Sequence, residues 1–460
     1  WTTAPQPGDN VVLTIDIDLQ KQVEDILSQA IPQLASEDTE GAACVVMDVN
    51  RAEVLASASY PTFSLATYGQ DIAKNGSDPL RPLFNRALLG TYPPGSTFKM
   101  ISAIAGLEEE IITPSTIIRD EGQYTYWPTP QPKCWIYRQY GRTHGPVNVS
   151  DAIEVSCNYF FYDVGRRVGI EKLDEYAAKF GLGQKTGVEL SEAAGVVASP
   201  EFTESLGGKW YEGNVLSVAI GQESTQVTPI QLATYAATLA NNGTRYRTHF
   251  VKAILDTNTG EVLSETKPEV MDVIEGTGNT FELVRQGMKQ VPSTISGKIS
   301  SYPVPIACKT GTPQRSETYA PGKHYLNAMM VAYLPADDPQ IAIGNSIEYG
   351  GYGARTGDLV VDIANAYFAL KDGSLAQQAE AEKEAEQAQQ EDQAQTTDPA
   401  QAAAGQTTGN AAAQPAQMTP AADTAAPETA AEGEAKPAVQ DEQQPAADTE
   451  QNPDAIAPEN

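Results

Sequence analysis

The sequence lacks several features on which common kinds of function depend. Its four cysteines, Cys44, Cys134, Cys157 and Cys308, show no Cys-x-x-Cys spacing, and only three histidines occur in 460 residues. Neither a zinc site nor a disulfide framework is indicated, and we predict no metal centre. No run approaches the roughly 18 apolar residues of a membrane span, and no signal peptide opens the chain. Because residue 1 is Trp1 and not Met, we expect a processed or excised piece of a longer protein.

Positive charge is also scarce, with 30 Lys and Arg against 60 Asp and Glu. Residues 372–460 hold 18 of the acidic and two of the basic side chains. The other 371 residues carry 42 acidic and 28 basic side chains, a net charge of −14 that is ordinary for a soluble domain. We see no Lys and Arg clusters suited to neutralising phosphates, which argues against nucleic-acid binding.

Aromatic residues are absent after Phe368, where the chain becomes rich in Ala, Gln, Glu, Pro and Thr. Such a segment cannot bury enough apolar surface to offset its conformational entropy. We therefore predict one folded domain over residues 1–371 and an acidic, low-complexity, disordered tail over residues 372–460. A solvated spacer is the simplest role for this tail, and binding to a partner is the alternative.

The hydrophobic pattern predicts an α+β domain. A helix is expected over 18–34, strands near 41–60 and 303–348, and a closing helix over 358–370. The pattern over about 97–248 is mostly helical, and we interpret it as a lobe inserted into a largely antiparallel sheet. A cleft between sheet and lobe is the expected place for chemistry.

A rigid turn precedes a Ser-x-x-Lys pair in TYPPGSTFKMI. Ser96 follows Pro94 and Gly95, and Lys99 lies one helical turn later, within reach of the Ser96 hydroxyl. A serine at a helix start is often only a cap, but a neutral Lys99 would be a base for Ser96. Ser264 and Lys267 repeat the spacing without a rigid turn, so context favours Ser96.

Two further motifs follow in order. EVSCNYFF contains Ser156-Cys157-Asn158, and PIACKTGT places Lys309–Thr312 at the end of an apolar strand. A second Lys-Thr-Gly, at 185–187, follows a glycine-rich turn and lacks such a strand, so we reject it.

Taken together, these motifs resemble the penicillin-binding proteins and serine β-lactamases. FNRALLGTYPPGSTFK, HGPVNVSDAIEVSCNYFFYDVG, FGLGQKTGVEL, IGQESTQVTPIQLATYAATLANNG and CKTGTPQ look like class B penicillin-binding protein transpeptidase domains over about residues 10–370. YPPGSTFK is more similar to the elongation type than to the septal type. Glu223 departs from the Gly or small residue that the family usually has after Gly-Gln, which puts the shape of that loop in question.

The resemblance implies a penicillin-binding/β-lactamase-like fold, in which N- and C-terminal helices flank the sheet, and a peptidoglycan D,D-transpeptidase that β-lactams acylate. Ser96 would attack the carbonyl between two D-alanines of a stem peptide, and Lys99 would take its proton. Ser156 would pass a proton towards the leaving amine. The backbone N–H groups of Ser96 and Thr312 would form the oxyanion hole.

The resemblance also implies a substrate-binding set. Asn158 would bind the substrate amide, Lys309, Thr310 and Thr312 would receive the terminal carboxylate, and the strand through Gly311 would pair with the peptide. No cofactor is implied. The expected partner is a SEDS glycosyltransferase, and the expected location is the extracytoplasmic face of the membrane, anchored by an N-terminal segment that this chain lacks.

Two alternatives stay open. A serine β-lactamase or D,D-carboxypeptidase would share the acylation step but hydrolyse its acyl-enzyme, and a non-enzymatic β-lactam sensor or scaffold would keep the fold alone.

The cysteines give a separate expectation. Because side chains alternate along a strand, Cys308 should point away from the cleft if Lys309 faces it, and Cys157 should also turn inward. We expect both thiols to be free and slow to react.

Overall fold

The chain is described by a computed structural model over residues 8–34, 39–313 and 326–374. The strands in these ranges are β1 (Asn10–Leu13), β2 (Ala42–Asp48), β3 (Val54–Tyr60), β4 (Ile118–Asp120), β5 (Gly145–Val147), β6 (Thr244–Tyr246), β7 (Val251–Leu255), β8 (Val262–Glu265), β9 (Val270–Val273), β10 (Ala307–Gly311), β11 (Ala328–Leu334) and β12 (Ile341–Ile347). The α-helices are α1 (Ile17–Leu34), α2 (Tyr68–Ser77), α3 (Arg86–Leu89), α4 (Lys99–Glu108), α5 (Trp135–Tyr140), α6 (Val149–Glu154), α7 (Asn158–Val168), α8 (Ile170–Lys179), α9 (Pro200–Ser205), α10 (Asn214–Val218), α11 (Pro229–Ala240), α12 (Thr280–Gln290) and α13 (Gly357–Lys371). Short 3₁₀ helices span Gly95–Phe98, Val291–Thr294, Lys298–Ser301 and Gly353–Thr356.

Five strands form the central sheet in the order β10-β11-β12-β2-β3, and all neighbouring pairs are antiparallel. The turn between β2 and β3 is held by Asp48, whose carboxylate accepts hydrogen bonds from the backbone N–H groups of Asn50 and Arg51. Strands β11 and β12 are buried along their whole length, which explains the continuous apolar sequence of β11, whereas β12 buries Asn345 and Ser346 as well. The predicted α+β fold with a largely antiparallel sheet is confirmed.

Helices α1 and α13 pack on each other and flank the sheet. Helix α1 buries one residue per turn, namely Leu19, Val23, Leu27 and Ile31. The Asp16 carboxylate accepts hydrogen bonds from two backbone N–H groups at its start. An apolar stripe with i, i+4 spacing and an acidic cap are the features by which the sequence predicts this helix.

Helix α11 differs from the expectation that all helices between 97 and 248 form one lobe. Its start follows from the local sequence, with Thr228 as N-cap, Pro229 in the first turn and Gln231 completing a capping box. All its residues are buried, however, and it packs against β12 and β2. A helix that is apolar on every side cannot lie on a lobe surface, so α11 forms the layer between sheet and lobe. Conversely, α12 lies outside the predicted range and packs on α6.

The remaining lobe is built around α4, which is buried from Lys99 to Leu107 and packs against α7 and α8. Smaller sheets join β1, β7 and β8, pair β4 with β5, and pair β6 with β9. In the described ranges, no helix is both long and apolar enough to cross a bilayer. Beyond residue 374 the acidic tail lies outside the described residues, so the domain boundary stays a prediction.

Candidate active site

The Ser96 turn begins with a left-handed glycine. Gly95 has a φ of 55°, and its backbone N–H donates to the carbonyl of Gly221 at 2.8 Å. Ser96 is the second residue of a 3₁₀ turn that leads directly into α4, and not an N-cap. Its side chain is half-buried, whereas Lys99 one turn later is fully buried. The Pro-Pro-Gly sequence therefore sets the serine at the entrance of the lobe and its lysine beneath it.

Lys99 is held by the second motif. Its ammonium donates to the Ser156 carbonyl at 2.8 Å, to Ser156 Oγ at 3.1 Å and to Asn158 Oδ1 at 2.6 Å. Within the described ranges no hydrogen bond joins Lys99 Nζ to the Ser96 hydroxyl, although the i, i+3 spacing led us to expect one. Catalytic hydrogen bonds often tighten only when substrate is bound, so this geometry leaves the predicted roles open.

Ser156 lies in the turn between α6 and α7 and has a φ of 55°. A left-handed backbone is unfavourable for a residue other than glycine, and such strain is often found at functional sites. The turn presents both the carbonyl and the hydroxyl of Ser156 to Lys99. Lys309 reaches the same hydroxyl from the opposite side, at 3.0 Å, although it is 153 residues away in sequence.

Burial sets the charge of the two lysines. It lowers the pKa of Lys99 to about 8, and burial together with the charge of Lys99 lowers the pKa of Lys309 to about 7. Both side chains are fully buried, and they share one hydroxyl as a hydrogen-bond acceptor. The pair therefore gives up a proton near neutral pH, which isolated lysines do not do.

Strand β10, which carries Lys309, is at the end of the central sheet and pairs only with β11 among the described strands. The pleat places Lys309 and Gly311 on one face and Cys308 and Thr310 on the other. Cys308 is buried as predicted, and burial raises its pKa to about 12. By the same alternation, the half-buried Thr310 side chain lies on the other face of the strand from Lys309. Its contact with the substrate carboxylate stays a prediction.

The end of β10 meets the Ser96 turn closely. A Cβ on Gly311 would lie 2.6 Å from the Pro94 carbonyl oxygen, so only glycine fits. A Cβ on Gly95 would lie 3.1 Å from Pro313, on the other side of the same junction. The predicted oxyanion donors flank this junction. They are the backbone N–H groups of Ser96, directly after Gly95, and of Thr312, between Gly311 and Pro313. Thr312 is further fixed because its Oγ1 accepts the Gly353 N–H at 3.0 Å.

The two decoy motifs have structural roles. Thr186, in the second Lys-Thr-Gly, is buried and donates to Glu192 Oε2 at 2.8 Å. Ser264 lies in the β7–β8 hairpin, which is not part of the central sheet. Glu223 has a φ of 66° and accepts a hydrogen bond from Asn214 at 3.0 Å. A side chain therefore occupies a backbone conformation that favours glycine, in the loop whose shape was in question.

A cluster that the sequence analysis missed lies directly behind the second motif. One ligand atom from each of Asp120, Cys134, His144 and Cys157 lies within 4.8 Å of the other three. His144 Nδ1 is 2.8 Å from Asp120 Oδ2 and 3.5 Å from Cys134 Sγ, and Cys157 Sγ is 3.7 Å from Asp120 Oδ2. Two sulfurs, one nitrogen and one oxygen at these separations match the tetrahedral ligand set that zinc prefers. The sequence analysis predicted no metal centre, and the arrangement of these four side chains makes a zinc site a prediction in its place.

The electrostatics of the cluster suit a cation. A hydrogen bond from Cys157 lowers the pKa of Cys134 to about 5. Burial is the largest single influence on His144 and disfavours its charged form, but its hydrogen bonds with Asp120 and Cys134, together with the charges of these two groups, outweigh burial and raise its pKa to about 9. Cys157 is inward-facing and free as predicted, and burial raises its pKa strongly. A metal held here would tie four chain segments to the turn that carries Ser156. No local spacing marks the cluster, because its members come from loops between 120 and 157.

The chain is similar in sequence to proteins of a known family. Residues 42–369 match the family described as penicillin binding protein transpeptidase domain. The chain is 34% identical over 373 residues to peptidoglycan D,D-transpeptidase MrdA of Acinetobacter baumannii, which covers 77% of this chain and 53% of that relative. The chain thus spans about half the length of this curated relative.

Two solved structures are similar in fold and sequence. Pseudomonas aeruginosa PBP2 in complex with WCK 5153 has a TM-score of 0.68 and 31% identity, covering 80% of each chain. A structure described as "Structural coordination of polymerization and crosslinking by a peptidoglycan synthase complex" has a TM-score of 0.68 and 30% identity. It covers 80% of this chain and 64% of that one.

Proposed function

Because the chain belongs to the penicillin-binding protein transpeptidase family, in its class B elongation (PBP2) type, we propose that it is a peptidoglycan D,D-transpeptidase. It works through an acyl-enzyme on Ser96. The observation that carries the proposal is the placement of two buried lysines on one hydroxyl, Ser156 Oγ, beside the Ser96 turn. This arrangement supports proton transfer at neutral pH, which acylation of a serine requires.

The chemistry follows from these contacts. Ser96 Oγ attacks the carbonyl carbon between the two D-alanines of a donor stem, and its proton passes to Lys99, which is the neutral lysine of the pair once the bound substrate carboxylate keeps the proton on Lys309. The C–N bond then breaks, and the leaving amine takes a proton through Ser156, which connects Lys99 to Lys309. An amine of a second stem attacks the ester, and Ser96 regains its proton as the cross-link forms.

Binding is assigned to the edge of the sheet. The donor stem pairs with β10 as an added strand, with Gly311 allowing the close approach. Lys309 and Thr312 receive the terminal carboxylate, and Asn158 binds the substrate amide. The Ser96 and Thr312 N–H groups stabilise the oxyanion, a contribution of about 3 to 4 kcal/mol for one such donor in a well-studied hydrolase. Thr310, which lies between Lys309 and Gly311 on β10, completes this carboxylate contact.

The site favours transfer over hydrolysis. A β-lactamase or carboxypeptidase needs a base that activates water against the ester. Among the described residues, no carboxylate forms a hydrogen bond or ion pair with Lys99 or Lys309, so the contacts offer no such base. A non-enzymatic sensor is disfavoured because Ser96, Lys99, Ser156 and Lys309 are all in place.

Location and partners are part of the same proposal. We place the protein at the extracytoplasmic face of the bacterial membrane, held by an N-terminal segment outside this chain. A SEDS glycosyltransferase would supply the glycan strands. The similar structure from a synthase complex that coordinates polymerisation and crosslinking supports this partner. The imipenem acyl-enzyme complex of penicillin-binding protein A from M. tuberculosis, a similar structure with a TM-score of 0.66 and 25% identity, supports β-lactams as inhibitors.

Mass spectrometry after incubation with a labelled penicillin tests the proposal. We expect a long-lived adduct on the peptide that contains Ser96, and none in Ser96→Ala with unchanged circular dichroism. Ser264→Ala is the matched control, because Ser264 has the same spacing to a lysine, and it should label like the wild type. Rapid loss of the adduct would indicate a lactamase, no adduct would indicate a scaffold, and labelling that survives in Ser96→Ala would place the nucleophile elsewhere.

A further inference from the structure

The segment of residues 122–150 has an unusual charge for this protein. It contains Lys133, Arg138 and Arg142 and not one Asp or Glu, although acidic residues outnumber basic ones two to one over the whole chain. All three side chains are exposed. Within the described residues none of them forms an ion pair, whereas many other Lys and Arg side chains of the lobe do.

Two of these cations lie beside aromatic rings. Lys133 Nζ is 5.9 Å from the ring centre of Tyr137, and the Arg142 guanidinium carbon is 5.3 Å from that of Tyr140. Contacts with a ring face restrict a long side chain but leave its charge uncompensated. The surface is therefore cationic and partly ordered before any ligand arrives.

The segment also packs against the catalytic turn. Trp135 Nε1 donates to the Val155 carbonyl at 3.2 Å, one residue before Ser156. The Tyr124 ring is 5.2 Å from that of Tyr159, in the first turn of α7. Burial raises the pKa of Tyr162, and the charge of Arg138 partly offsets that rise, which puts Arg138 near the same helix. The segment that carries the three cations thus packs against the turn of Ser156 and the first turns of α7.

We propose that Lys133, Arg138 and Arg142 form the acceptor subsite, which binds the carboxylates of the second stem peptide while its amine attacks the acyl-enzyme. The inference rests on the proposed function and adds the recognition of the second substrate. The donor stem occupies β10, so the acceptor approaches from the side that β10 does not cover. A stem peptide with a free terminal carboxylate is anionic, and a protein of net charge −30 repels it wherever cations are not concentrated.

The test compares a charge reversal at this surface with an equal reversal elsewhere. Arg138→Glu/Arg142→Glu is the test variant of the whole chain, and Lys252→Glu/Lys267→Glu is the control. Lys252 and Lys267 are exposed, lie near the β7–β8 hairpin and form no ion pair with a described residue. Each protein is assayed with a synthetic D-Ala-D-Ala donor, and with a stem-peptide acceptor that ends either in a carboxylate or in a carboxamide.

We expect the test variant to raise KM for the carboxylate acceptor about ten-fold, which corresponds to about 1.4 kcal/mol. KM for the carboxamide acceptor should change less than about two-fold, and the control should match the wild type. The neutral variant Arg138→Gln/Arg142→Gln should give a smaller rise, which separates lost attraction from misfolding. Increasing salt should raise the wild-type KM for the carboxylate acceptor only.

Several outcomes would overturn the inference. Unchanged KM in the test variant, or an equal rise with both acceptors, would show that these arginines do not read a carboxylate. Unchanged KM together with lost binding to vesicles of anionic lipid would assign the surface to the membrane. Acylation by labelled penicillin does not use the acceptor. A wild-type protein that fails to acylate therefore refutes the proposed function itself, whereas normal acylation with no effect of the reversal refutes the subsite alone.

Discussion

The shared hydroxyl between Lys99 and Lys309 makes the pH dependence of acylation a test of the site. Both ammonium groups bond to Ser156 Oγ, at 3.1 and 3.0 Å, so the two nitrogens are no more than about 6 Å apart. At an effective dielectric constant of 20, two like charges at that distance repel by about 3 kcal/mol, or about two pKa units. A neighbouring cation disfavours the protonated form, so its removal should raise the pKa of the amine that stays.

The perturbation is Lys309→Gln. In the wild type the pair loses its first proton at a pKa of about 7, that of Lys309. In the variant only Lys99 remains, with a pKa of about 8 set mainly by burial. At pH 6 about 10% of wild-type sites and about 1% of variant sites would contain a neutral amine, whereas at pH 9 nearly all sites of both would. The ratio of variant to wild-type acylation should therefore rise about ten-fold from pH 6 to pH 9.

Stopped-flow measurement of acylation by a fluorescent penicillin, from pH 5.5 to 9.5, provides the assay. The lost carboxylate contact should lower the acylation rate of the variant by a factor that does not depend on pH. The quantity to compare is therefore the pH range over which the acylation rate rises, the rising limb of the pH profile. Lys185→Gln is the control, because Lys185 lies in the decoy Lys-Thr-Gly and is exposed. A limb at the same pH in wild type and Lys309→Gln would refute the idea that repulsion between the two lysines keeps one of them neutral.

Three further predictions concern other parts of the chain. The purified protein should bind one Zn²⁺, and Co²⁺ in its place should give a thiolate charge-transfer band that weakens in Cys134→Ser; absence of stoichiometric metal would contradict this. Native alkylation and peptide mapping should find Cys308 slow to react, because burial raises its pKa; rapid modification with loss of penicillin binding would mean that the strand register is wrong by one. Deletion of residues 372–460 should leave Tm and acylation nearly unchanged, since the tail has no aromatic side chain to pack, and a large loss of stability would mean that the tail docks.

Features with local causes were predictable from the sequence. The start of α11 follows from a capping box within four residues, and α1 from an apolar stripe and an acidic cap. The spacing of Ser96 and Lys99 after a Pro-Pro-Gly turn marks the nucleophile for the same reason. The layer in which α11 lies was not predictable in this way, since burial on all sides depends on what the rest of the chain places around a helix.

Strand alternation was a partial guide to the site. It predicted that Cys308 turns away from Lys309, and the register of β10 with β11 agrees. The role of Thr310 comes from the family resemblance. A resemblance between motifs does not show which face of a strand each side chain is on, so the carboxylate contact of Thr310 stays a prediction.

The sequence by itself determined the order of the motifs, the elements that carry them and the type of chemistry they allow, because capping, periodicity and turn residues act over a few positions. Only the tertiary structure decided which distant groups meet. It placed Lys309 on the hydroxyl of Ser156 from 153 residues away, where burial and the charge of Lys99 lower the pKa of a lysine that would otherwise stay charged. It also brought Asp120, Cys134, His144 and Cys157 together from separate loops. Such contacts depend on how the sheet and the lobe pack on each other. No local sequence pattern determines the distance between side chains that are so far apart along the chain.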